Sequence, residues 1–79
     1  NTSQLRANVK QSEKLMTTLA AEKDGIAAEM AKPGFYDSDN ADAIARLSGQ
    51  LAKLEKSLAE AEQAWLAAEE SLAEAEANG

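Results

Sequence analysis

What most constrains this chain is the spacing of its few apolar side chains. They fall at Leu5, Val9, Met16, Leu19, Ile26 and Met30, and with Ser12 and Lys23 in the remaining places the steps alternate between four and three. A second run repeats the pattern at Ile44, Leu47, Leu51, Leu54, Leu58, Ala61, Trp65, Ala68, Leu72 and Ala75. Such steps place one stripe along one side of a helix, the a and d positions of a heptad, and a stripe of this kind needs another to cover it. Two stripes in one chain predict that they close on each other.

Composition supports this reading. Ala, Glu, Lys, Leu and Arg supply 45 of the 79 residues, the usage of long helices. Val, Ile and Thr number only six, too few to line a sheet. Leu, Ile, Val and Phe number 13, a level at which an unpatterned chain stays disordered. Regular spacing is what lets so few suffice. The absence of Cys and His removes thiolate nucleophiles, imidazole bases, disulfides and the usual zinc ligands. No apolar run approaches the roughly 18 residues of a membrane span, and no signal-peptide pattern is present. The chain opens at Asn1 rather than Met, which reads as a piece of a longer protein, with residues 1–79 forming one domain.

Between the runs lies Lys32-Pro33-Gly34-Phe35-Tyr36-Asp37-Ser38-Asp39-Asn40. Proline disfavours helix at the residue before it, and glycine accepts positive φ. The predicted fold is therefore all-α, an antiparallel two-helix coiled-coil hairpin with helices over about 4–31 and 40–77 and a loop over 32–39. Asp39 is the expected N-cap of the second helix, with Asp42 beside its positive end. A turn centred near Asp37 pairs Met30 with Ile44, Ile26 with Leu47, Leu19 with Leu54, Met16 with Leu58 and Val9 with Trp65. In that register Ser12 faces Ala61, and Lys23 faces Leu51, where a polar a-site residue helps to fix register. Leu72 and Ala75 then lack a partner unless sequence upstream extends the first helix. The paired region makes a rod of roughly 40 Å, and Gly25 and Gly49 lower its stability.

The net charge of −6 is unevenly spread. Residues 33–43 carry three acids, 44–57 carry three bases against one acid, and 58–79 carry six acids and no base. Lys10 and Lys14 follow Arg6 at intervals of four, and Arg46, Lys53 and Lys56 fall on the outer c and f positions of the second helix. Either set makes a short basic stripe able to contact phosphate, or an ordinary solvated helix exterior. The acids lie on solvated faces without a cleft, so no carboxylate pair is read as catalytic. The cluster from Asp37 to Asn40 lacks the central Gly and the final Glu of an EF-hand, and is read as turn and cap. Pro33, Phe35 and Tyr36 mark the hairpin tip. Phe35 is expected to fold back over the seam with Tyr36 half exposed, or the two rings stack on a base or dock on a partner. The seam itself is carried by Leu19, Ile26, Leu47, Leu51, Leu54, Leu58 and Trp65.

The Lys-Pro-Gly-Phe-Tyr-Asp break at 32–37, Ala-Arg-Leu-Ser at 45–48, Leu-Glu-Lys-Ser-Leu at 54–58 and Ala-Trp-Leu-Ala-Ala-Glu-Glu-Ser-Leu at 64–72 together resemble a known pattern. It is that of the C-terminal coiled-coil domain of bacterial ABC-F ATPases, particularly the Uup and YheS branches. Release factors and the C-terminal arm of valyl-tRNA synthetase carry similar hairpins but explain the late Trp65 less well. The resemblance implies a cytoplasmic protein with two ATP-binding cassettes upstream, using ATP and magnesium there, and acting on ribosomes or nucleic acid. In the Uup branch it implies DNA binding, from which the acidic balance of this chain departs. No Walker motif lies in these residues, so the domain itself is expected to be non-catalytic and without a cofactor. The function read from the sequence is thus an arm that meets nucleic acid or the ribosome. The alternative is a spacer that docks on its own ATPase domains through the acidic segment from Glu69 to Glu76. A self-associating hairpin, joined through Leu66 and Leu72, is a third possibility, although a monomer is favoured.

Overall fold

The structure, a computed structural model, describes residues 2–78. Helix α1 runs Ser3–Met30 and helix α2 runs Ala41–Asn78, with a short 3₁₀ turn at Ser38–Asn40 leading into α2. The two helices pack antiparallel into a rod of 61 × 15 × 14 Å. Every a and d position of both runs is buried or half-buried. Val9, Phe35 and Ala61 are the buried apolar residues among those described, at 7%, 7% and 4% exposure, and no side chain there is completely enclosed. That is the geometry of a single seam between two helices, open along both edges.

The reversal is built from successive tight turns. The Phe35 N–H donates to the Lys32 carbonyl at 3.1 Å, with Pro33 and Gly34 at the two central positions and Gly34 at φ 81°. Proline first and a positive φ second define a type II turn, which only glycine enters without strain. The Asp37 N–H then donates to the Gly34 carbonyl at 3.1 Å, and the Asn40 N–H to the Asp37 carbonyl at 3.0 Å. The Asn40 side-chain amide reaches back to the Phe35 carbonyl at 2.7 Å and ties the far side of the loop to its near side. Gly34→Ala is expected to cost about 1–2 kcal/mol, because the left-handed conformation is unfavourable for an L side chain. The added Cβ would also lie 3.1 Å from Asp37 Oδ2. Thermal unfolding followed by circular dichroism checks it, and a Gly34→Ala protein that melts with the parent would contradict this account of the turn.

Two expectations need correction. Asp39 is not the N-cap of α2: it lies inside the 3₁₀ turn, whose own capping position is Asp37, with no side-chain cap bond. The register also differs from a turn centred at Asp37. Trp65 meets Glu13, Arg6 meets Glu76, and Leu5, Asn8 and Ser12 share a groove with Ala64, Ala68 and Ser71. These contacts centre the hairpin between Ser38 and Asp39 and slide the seam by one layer. Met30 then lies opposite Leu47, Ile26 opposite Leu51, Lys23 opposite Leu54 and Leu19 opposite Leu58. Farther along, Met16 lies opposite Ala61, Ser12 opposite Trp65, Val9 opposite Ala68 and Leu5 opposite Leu72. Large now faces small where the indole must fit. Leu72 consequently has a partner within this chain, and the Arg6–Glu76 ion pair at 3.5 Å marks how far the pairing extends. With both side chains more than half exposed, that ion pair adds little stability.

Candidate functional site

Heptad geometry gives the rod two different edges. On each helix the e and b positions flank the seam on one side and g and c on the other, and antiparallel packing sets like edge against like edge. The contacts follow this rule: Arg6, Glu13 and Glu76 all occupy e positions, whereas Glu22 and Gln50, which line one groove, occupy g positions.

Arg46 and Lys53 stand on the c/g edge of α2, with Lys56 one turn farther round on its outer face, and all three are exposed. Their first and last members are separated by about 15 Å along the helix. Lys53 lines a groove with Glu22, Ile26, Gln50 and Leu54. Neither Arg46, Lys53 nor Lys56 makes an ion pair, since the pairs among the described residues are Arg6–Glu76 and Lys32–Glu29. Lys10 and Lys14 are exposed and unpaired as well. They sit in the open half of the rod, where α2 contributes its acids; Lys14 lies about 10 Å along the axis beyond Lys56 and on the outer face of the other helix. The two basic sets are therefore separate, and only the α2 set forms a stripe away from the acidic end.

Seam residues Leu19, Ile26, Leu47, Leu51, Leu54, Leu58 and Trp65 are half-buried, facing the partner helix rather than solvent. Trp65 also reaches the b/e edge, where its indole N–H donates to Glu13 Oε2 at 3.3 Å. At the tip Pro33 is exposed, Phe35 is buried and Tyr36 is 66% exposed, its ring meeting Phe35 edge-on at 5.1 Å and 86°. Glu62, Glu69 and Glu76 recur at e positions along the open half, with Leu66 45% exposed among them. Sequence reasoning missed the Trp65–Glu13 and Arg6–Glu76 contacts. The e positions signalled both, but matching them across the hairpin requires the register.

Among the described residues no cluster of three or more acidic side chains is arranged to hold a metal ion. No helix there is long and apolar enough to cross a membrane. The arrangement offers charge and shape along a rod. The family model described as the ABC transporter C-terminal domain matches residues 2–77. Neither a curated protein nor a solved structure matches the chain.

Proposed function

The chain belongs to the ABC transporter C-terminal domain family, and from that premise we propose that it is the non-catalytic arm of a cytoplasmic ABC-F type ATPase that meets nucleic acid or the ribosome. The observation that carries the proposal is the row Arg46, Lys53 and Lys56, exposed, unpaired and placed on one side of α2 away from the acidic end. Unpaired bases in a row gain by displacing counterions from phosphates. Lys10 and Lys14 make a second, weaker contact at best, because the neighbouring stretch of α2 is acidic. ATP turnover belongs to cassettes elsewhere in the parent protein.

Titration of labelled duplex DNA and structured RNA at low salt tests this reading. Lys53→Glu with Lys56→Glu is expected to weaken binding at least about tenfold and to flatten its dependence on salt, each lost duplex phosphate contact lowering the log–log slope by about 0.9. Absence of binding, or binding indifferent to the double reversal, would sink it. A second reading is a spacer docking on the parent's own ATPase domains. The exposed Leu66 between Glu62, Glu69 and Glu70 favours it. Salt-sensitive capture of those domains without nucleic acid, lost in Leu66→Ala, would select this alternative.

A further inference from the structure

The b/e edge of the tip half holds an apolar groove lined by Ala27, Met30, Ala31, Leu51 and Tyr36. Two alanines, Ala27 and Ala31, leave its floor low between the seam residues Met30 and Leu51, and Tyr36 stands beside it with 66% of its surface exposed while Phe35 is buried. The tip holds Tyr36 in place: a type II turn precedes it, Phe35 supports its ring edge-on, and Asn40 clamps the Phe35 carbonyl. An aromatic left exposed but anchored is a ready contact surface, since little conformational freedom remains to be lost on binding.

Carboxylates outnumber bases around the groove, Lys23 at the seam position one turn before Ala27 being the exception. Asp24 lies on α1 three residues before Ala27, Glu55 lies on α2 four residues after Leu51, and Asp37 follows Tyr36. None of the three makes an ion pair. The other bases of the tip half lie elsewhere: Arg46 and Lys53 on the opposite edge, Lys56 on the outer face, and Lys32 paired with Glu29 at 2.8 Å.

From this we propose that the Tyr36 groove is a docking site for a basic, apolar segment of a partner protein, separate from the phosphate-contacting stripe on the other side of the rod. An apolar side chain fills the space between Ala27, Ala31 and Leu51. An Arg or Lys beside it meets the Tyr36 face and the carboxylates of Asp24, Asp37 and Glu55. A phosphate backbone is repelled at the same place. Charge complementarity thus distinguishes the two edges, one suited to an anion and the other to a cation with an apolar neighbour.

The test uses the 79-residue chain and a short peptide of alternating leucine and arginine, with its leucine–glutamate counterpart as comparison, read by amide chemical shifts. The expected result is shifts centred on Ala27, Ala31, Tyr36 and Leu51, with no response to the glutamate peptide. Tyr36→Ala is expected to weaken the arginine peptide about five- to tenfold with helix content unchanged, Tyr36→Phe to keep most of the affinity, and Asp24→Asn with Glu55→Gln to remove its salt dependence. Shifts centred instead on the acidic end from Glu69 to Glu76 overturn the proposal. So does affinity unchanged in Tyr36→Ala, or an oligonucleotide that moves the groove signals as the peptide does.

Discussion

Replacing Phe35 by alanine is expected to remove about 3 kcal/mol of stability, the low end of what a buried Phe contributes, because this one sits at the end of a narrow rod. A chain of this length is stable by only about 4–12 kcal/mol, so the loss is a large share of the whole. Phe35 is 7% exposed, supports Tyr36 and offers its carbonyl to Asn40. Without the ring, the end of the seam opens to water and the turn loses the platform over which the two helices meet. Urea denaturation read at the helix band checks this, the midpoint falling with little change in slope. Tyr36→Ala is the matched control, expected to change stability by no more than about 0.5 kcal/mol because that ring is mostly exposed. Equal stability of the two variants would mean that the seam holds without its tip.

The second large effect has the opposite sign. Gly25 and Gly49 lie in helix interiors on outward positions, and a Cβ built at either meets nothing within 4 Å. Each glycine costs its helix up to about 1 kcal/mol relative to alanine, mainly through the freedom it retains in the unfolded chain. Gly25→Ala with Gly49→Ala is therefore expected to add about 1.5 kcal/mol and to raise Tm by roughly 6–12 °C for a domain of this size. The two changes should add, since neither side chain has a neighbour through which to couple. Differential scanning calorimetry measures it. A fall in Tm would show that one of these faces is covered in the folded molecule. Gly34 is the contrast within the same chain, because its positive φ and the nearby Asp37 carboxylate decide the effect of substitution.

The helices were legible because heptad spacing is a local property, repeated often enough that a few polar interruptions such as Ser12 and Lys23 do not obscure it. Their ends were legible within a residue or two, because Pro33 and Gly34 act on the backbone directly. The capping assignment failed at Asp39. Three consecutive turns, each closed by a backbone hydrogen bond, carry the chain into α2 without needing a side-chain cap. For the candidate site, the basic residues of α2 and their separation from the acidic end could be counted along the chain. Whether Lys10 and Lys14 would join them could not, since that depends on which residue of one helix lies level with which residue of the other.

Residue type and period alone specify two long helices closed on one seam around a Pro-Gly-Phe-Tyr break. The register came from how the helices meet, and with it the contact of Trp65 with Glu13, the pairing of Arg6 with Glu76, and the assembly of an aromatic groove from both helices and the tip, on the other side of the rod from the basic stripe. The physical reason is that a heptad seam repeats: slid by one layer it still sets apolar against apolar. What selects among such registers is the number of residues consumed by the turn and the fit of a few unequal side chains.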